Sequence, residues 1–347
     1  MDLKVSPTTP RTAPRSFMAL RALCLMACAA LAQMASAAEI RVGHALSHDS
    51  HVGRALVKAA ERISADSGGR LVLKQIGNGA AGNDQKLMQD AIDGSIEIFI
   101  SSTSTIVPVY KPLAILDTPF LFAHREEAHA LLDGKIGKDL LAGVSAGGLV
   151  GLSFWELGFR NLTNNVRPVT HLSDLKGIKL RTMPTELAIN TFKRLGADAQ
   201  PLPFPQLRPA LESGSFDGQE NPLPTIVSAN LHQVQKYLTI SKHLYGIYGV
   251  MASKKWWDTL SKADRTIIGN ALAEARLFQR AESQRATDEA LKIIKDAGVK
   301  VSELEIGERL LIERRLERVV APIAQEAGFN LWVSMADELG RIRSKSK

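Results

Sequence analysis

The sequence predicts an α/β protein built as two lobes around a cleft. From Ile40 onward, short apolar runs alternate with amphipathic segments, the pattern of strand-helix units. The 347 residues exceed one comfortable core, since domains commonly hold about 100 to 150 residues. A stretch from Ser261 to Ala297 contains no proline and one glycine, Gly269, and opens on Ser261-Lys262-Ala263-Asp264, which resembles a capping box. As an unbroken helix it would extend roughly 50 Å at about 1.5 Å per residue. A domain of about 100 residues has a radius of gyration near 13 Å, so this helix is expected to bridge both lobes.

The elements follow in order. Lys4, Arg11, Arg15 and Arg21 precede the apolar run from Ala22 to Ala32 and the small residues Ala35-Ser36-Ala37, the three-part pattern of a secretory signal peptide, with cleavage expected near Ala37. The charged region is long for such a signal, and a start at Met18 would give a more usual one. Ile40 to Val42 reads as a strand. Val52, Ala55, Leu56, Ala59, Ala60 and Ile63 then form a helical stripe that stops at Gly68-Gly69. Leu71 to Ile76 is a second strand, Asn83 to Ile92 a helix, and Ile96 to Ile100 a third strand running into the polar stretch Ser101 to Thr105. Polar residues at such strand ends commonly face ligands in open α/β sheets. Two helices between Arg125 and Ala146 lead to a strand from Leu149 to Phe154, and the region Pro168 to Gln200 repeats strand-helix-strand around Ile178 to Met183.

Both cysteines, Cys24 and Cys28, fall inside the leading segment, so the exported chain is expected to have no disulfide and no thiol chemistry. Leu25-Met26-Ala27-Cys28 loosely resembles a lipoprotein processing site, a pattern Met26 fits poorly. No later apolar run approaches the roughly 20 residues that span a bilayer. Four basic residues and one acid of the leading segment account for part of the +7 net charge and leave about +4 for the rest, which argues against a nucleic-acid partner.

Three motifs point elsewhere and fail on context. Gly77-Asn78-Gly79-Ala80-Ala81-Gly82 matches a dinucleotide fingerprint, but Ser101 and Ser102 stand where an acid for the ribose is expected, and Lys74 and Gln75 are polar for a central parallel strand. Gly143-Val144-Ser145-Ala146-Gly147 matches a hydrolase nucleophile elbow, yet here a helix precedes the serine and a strand follows, the inverse of the required order. His44, His48, Asp49 and His51 could offer ligands to zinc, but no second cluster completes a closed site. The expectation is therefore no cofactor, no metal and no catalytic residue. An exported metal-binding protein or an exported hydrolase stands as the alternative.

The most informative run lies between Leu172 and Pro224. It reads Ser173-Asp174-Leu175-Lys176-Gly177-Ile178-Lys179-Leu180-Arg181, then Leu195-Gly196-Ala197, Leu202-Pro203-Phe204, Ala210-Leu211-Glu212-Ser213-Gly214 and Phe216-Asp217-Gly218-Gln219-Glu220-Asn221-Pro222. This run resembles the solute-binding subunits of tripartite ATP-independent periplasmic (TRAP) transporters, and the resemblance extends more weakly from Ile40 to about Leu260. It implies a periplasmic binding protein fold, class II-like, with hinge strands, closing on a small mono- or dicarboxylate and delivering it to TRAP membrane permease subunits.

The resemblance also implies site residues. Arg181 matches the family's carboxylate-gripping arginine, and a planar guanidinium suits a carboxylate bidentately. Asn221 would hydrogen-bond the same group or a neighbouring hydroxyl. Arg160 would hold a further polar group or pair with an acid at the hinge. Phe204 would pack on the solute, and Ser102, Trp155 and His44 are further candidate contacts. Gln206 departs from the family, where an acid is frequent. The expected division is a signal over residues 1–37, a first lobe of 38–157 plus 247–286, and a second lobe of 158–246 plus 287–347, hinged near Trp155 to Gly158 and Tyr245 to Gly249. The identity of the carboxylate and the oligomeric state are not legible in the sequence.

Overall fold

A computed structural model describes residues 37–345, so the leading segment with its expected signal and both cysteines lies outside the described residues. Residues from Glu39 onward form one compact unit. In chain order its elements begin with β1 (Ala38–His44), α1 (His51–Asp66), β2 (Leu71–Ile76), α2 (Asp84–Asp93), β3 (Ile98–Ser102), α3 (Thr103–Ile106), α4 (Arg125–Asp133) and α5 (Lys135–Gly143). After them come β4 (Leu149–Asn164), β5 (Lys179–Thr182), α6 (Glu186–Arg194), β6 (Asp198–Pro201), α7 (Leu207–Glu212), β7 (Gly218–Pro222) and α8 (Leu223–Ser228). The chain finishes with β8 (Tyr237–Ser253), α9 (Lys254–Trp257), α10 (Lys262–Asp296), β9 (Lys300–Glu303), α11 (Glu308–Ala327) and α12 (Phe329–Lys345).

A nine-stranded sheet of order β2-β1-β3-β8-β4-β7-β5-β6, with β9 on β8, carries both lobes. Strand alternation divides its cores. Ile98 and Ile100 face one cluster with Ile40, Val42 and Leu56, while Phe99 between them faces another with Leu87, Leu113 and Phe154. The second lobe is built likewise. Leu180, Phe192 and Leu316 form one core, and Leu211, Ile226 and Leu238 form the other.

Two long strands join the lobes. β4 has 16 residues and β8 has 17, and they pair antiparallel from Leu149↔Ser253 through Trp155↔Tyr248 to Asn164↔Tyr237. β8 also pairs with β3 in the first lobe, and β4 with β7 in the second. The expected strand Leu149 to Phe154 is thus the opening part of a strand that continues through the hinge. The register shifts between Glu156 and Gly158, where Gly158 adopts φ +104°, a left-handed conformation that glycine accepts without a side-chain clash.

The bridging helix matches its expectation. α10 runs 35 residues, with Ser261 accepting a hydrogen bond from the Asp264 amide at its start. Ile268, Ala271, Leu272 and Ala275 pack in the first lobe, and Ala290 and Ile294 in the second. The C-terminal segment differs from the expected division. Met335 and Leu339 of α12 are buried with Leu87 and Phe154 of the first lobe, because α12 lies against α4, where Arg343 also pairs with Glu127 at 3.0 Å. Among the described residues, no helix is long and apolar enough to cross a membrane.

Candidate binding site

The cleft is walled by strand ends and by the segments that follow them. His44, Ala45 and Leu46 continue β1, Ser102 closes β3, and Asp84 and Gln85 open α2, forming the first-lobe wall. Arg181 near the end of β5, Phe204 and Asn221 near the end of β7 form the facing wall. Leu157 and Arg160 from β4 and Tyr248 from β8 lie between them. The space between these walls, part of it open to solvent, is about 670 Å³.

Arg181 is 2% exposed. Its Nε donates to the Leu202 carbonyl at 2.8 Å, which fixes the plane of the guanidinium. Among the described residues it makes no ion pair. Burial pulls its pKa from 12.5 to about 10, with Arg160 pushing the same way and Glu220 and Asp84 opposing. It therefore remains charged at neutral pH, buried and without a carboxylate in contact.

Arg160 is equally buried, but its charge is matched within the protein. Nη2 donates to Glu220 Oε1 at 2.8 Å and to the Glu220 carbonyl at 2.7 Å, Nε bonds the other carboxylate oxygen, and His243 Nε2 lies 3.1 Å from that oxygen. Burial would raise the Glu220 pKa, yet the charge of Arg160 and the bonds from His243 and Arg160 hold it at about 2. Of the two expected roles, pairing with an acid at the hinge is the one this geometry supplies.

Asn221 lines the cavity with its amide fixed from behind. Its Nδ2 donates to Gln219 Oε1 at 2.6 Å, Gln219 Nε2 donates to Thr163 Oγ1 at 2.8 Å, and that hydroxyl donates to Gln235 Oε1 at 2.8 Å. Phe204 packs against cores of both lobes, and the Ser102 hydroxyl donates to Ser104 Oγ at 3.2 Å. His44 lines the wall with Nε2 3.2 Å from Gln75 Oε1 and with Nδ1 buried and unpartnered among the described residues. Burial lowers its pKa to about 4, so the ring is neutral at pH 7.

Trp155 is a correction. It is 1% exposed in the first-lobe core beside Leu56 and Val250 and does not line the cavity. The wall passes two residues further along the same strand, at Leu157. Sequence reasoning also missed Asp84, Gln85, Thr225 and Tyr248. Asp84 had a readable signal, since it directly follows Asn83, whose side chain caps α2 after the glycine-rich turn.

The other motifs resolve as local structure. Asn78 at φ +57° and Gly79 at φ +66° form a left-handed turn after β2, an edge strand of the sheet, whereas the dinucleotide fingerprint belongs to a strand at the sheet's switch point. Ser145 sits in a turn between α5 and β4, donating to the Ala142 carbonyl at 2.9 Å. His51 Nδ1 lies 2.6 Å from Gln279 Nε2, whereas His44 is bonded to Gln75. No group of three His, Cys, Asp or Glu residues among those described could hold a metal ion.

Comparison with known proteins gives a consistent picture. The profile of the bacterial extracellular solute-binding protein, family 7, matches residues 42–326. The sugar acid binding protein DctPAm of Advenella mimigardefordensis, solved in complex with galactonate, is 40% identical with a TM-score of 0.86, covering 88% of this chain and 99% of that one. The 2,3-diketo-L-gulonate-binding periplasmic protein YiaO of Escherichia coli is 32% identical over 266 residues, 77% of this chain and 81% of that protein. A TRAP periplasmic solute binding protein of Sulfurospirillum deleyianum with bound succinate is 27% identical with a TM-score of 0.82, covering 87% and 99%.

Proposed function

The chain belongs to family 7 of the bacterial extracellular solute-binding proteins, the binding subunits of TRAP transporters, and from that premise we propose that it captures a small organic acid in the periplasm and hands it to a membrane permease. Arg181 anchors the solute carboxylate through its two terminal nitrogens, with Asn221 beside it and Phe204 against the solute. The protein is a carrier with no catalytic step. Residues 1–37 act as its export signal.

The observation that carries this reading is the buried Arg181 guanidinium with no ion-pair partner among the described residues. A buried cation left unpaired is costly, and such a cost persists where a ligand removes it. Closure takes place about the paired segments Trp155 to Gly158 and Tyr245 to Gly249. We divide the lobes as 38–157 with 247–286 against 158–246 with 287–327, and assign α12 to the first lobe because Met335 and Leu339 pack there.

Thermal shift with a library of organic acids, including D-galactonate and succinate, tests the reading. At least one acid raises the melting temperature by several degrees, as linkage requires well above the dissociation constant. Arg181→Lys abolishes that response because it removes the fork. An unchanged response in Arg181→Lys removes Arg181 from the role.

A further inference from the structure

The fold holds both galactonate and succinate in different relatives, so the solute class must come from this chain's own wall. Two formal charges face the cavity without an ion-pair partner among the described residues, Arg181 on the second lobe and Asp84 on the first. Arg160, the remaining cation in the lining, is joined to Glu220 by three hydrogen bonds. His44 contributes an imidazole that is neutral at pH 7, with one buried nitrogen unpartnered. Opposite Arg181, the wall therefore offers a carboxylate and neutral hydrogen-bonding groups, namely Asp84, Gln85, Ser102 and His44, and no cation to receive a second carboxylate.

Resting on the carboxylate-carrier reading, we propose that Asp84 sets the solute class, accepting hydrogen bonds from the hydroxyls of a polyhydroxy acid with a single carboxylate and keeping dicarboxylates out. Asp84 is suited to this by its position. As the first residue of α2 its backbone is fixed, and Asn83 rather than Asp84 itself satisfies the Lys86 amide. Its carboxylate is thus left to the cavity instead of to the helix cap. Burial raises the Asp84 carboxyl above its ordinary value, and the Ser101 hydroxyl and the charge of Arg181 offset this only in part. Arg181 therefore lies within electrostatic reach of Asp84 across the cleft. A solute carboxylate seated on Arg181 places the remainder of the molecule toward Asp84. Hydroxyls there donate to the carboxyl oxygens of Asp84, whereas a second carboxylate is driven into a buried setting beside another acid and away from any unpaired cation.

Isothermal calorimetry on the chain from residue 38 onward tests this with D-galactonate, D-gluconate, succinate and L-malate. The parent protein binds at least one aldonate, and both dicarboxylates at least about 100-fold more weakly, the penalty of a second carboxylate desolvated beside an acid with no cation to receive it. Asp84→Asn keeps the shape and removes the charge, and the ratio of dicarboxylate to aldonate dissociation constants falls by about tenfold or more. Parent binding of succinate or malate as tight as that of the aldonates overturns the proposal, whatever the variant does. So does a ratio unchanged within threefold in an Asp84→Asn protein with parental circular dichroism. If no acid binds the parent but the fold is intact, the carrier reading falls and this inference with it; if dicarboxylates bind best and Arg181→Lys abolishes that binding, the carrier reading stands and only the role of Asp84 is lost.

Discussion

Replacing Arg181 by methionine separates two consequences of one buried charge. In the unliganded protein the guanidinium is 2% exposed, and its pKa falls from 12.5 to about 10, chiefly through burial. That fall corresponds to roughly 3 kcal/mol of unfavourable burial at neutral pH. The Nε bond to the Leu202 carbonyl returns about 1 kcal/mol. Methionine fills a similar volume without charge, so the unliganded variant is expected to be more stable by about 2 kcal/mol, or roughly 5 °C in melting temperature. Binding moves in the opposite direction. Two charge-assisted hydrogen bonds are lost, together worth about 3 to 6 kcal/mol, which weakens a carboxylate by about 100- to 10,000-fold. Scanning fluorimetry with and without the tightest acid of the library, followed by calorimetry, reads both effects. A variant that binds within threefold of the parent, or that melts well below it without ligand, refutes the account of Arg181 as an uncompensated anchor.

Other substitutions are expected to separate the remaining charges. Arg160→Met leaves Glu220 buried with His243 as its remaining side-chain partner and should lower stability by about 3 to 5 kcal/mol, while Arg160→Met combined with Glu220→Gln recovers most of the loss in urea unfolding. His44 and His51 are both held near a pKa of about 4 by burial, below their ordinary 6.5, so charging them opposes folding. The stability they protect is complete above pH 6.5 and lost as pH falls through 4, roughly 3 kcal/mol for each ring, and the melting curve of His51→Gln should fall less steeply over that window than the parent's. Asp117 shows the reverse sign, since burial raises its pKa from 3.8 to about 7. Its contribution is complete below pH 3.8 and lost as pH rises through 7, so Asp117→Asn should gain roughly 4 kcal/mol on the parent between pH 4 and pH 8 in urea titrations, and equal pH profiles would contradict this.

What the sequence revealed depended on the range of the interactions involved. α10 was legible because its determinants are local, namely an absence of proline, a single glycine and a serine cap. Arg181 and Asn221 were legible as members of an ordered run, and Phe204, Ser102, Arg160 and His44 meet them around one cavity. Trp155 was misplaced by two residues. Nothing local marks where along a 16-residue strand the core ends and the cleft begins, and Trp155 and Leu157 share one face of β4 with different surroundings. Asp84 reads in the sequence as an ordinary residue of a helix, since the cavity it lines is completed by residues of the opposite lobe. The return of α12 to the first lobe was likewise hidden, because its partners Leu87 and Phe154 lie far earlier in the chain.

The continuous β4 and β8 ladder has a consequence for ancestry. Each lobe is assembled from separate stretches of chain, and the backbone crosses between them within two paired strands, along α10 and again between α11 and α12. No single cut releases a lobe, and a recombination point anywhere from Leu149 to Asn164 severs pairings on which both halves depend. A protein so stitched cannot acquire a new cargo by exchanging modules. New specificity is then expected to come from replacements along the shared wall, within an architecture whose solved relatives hold galactonate in one case and succinate in another.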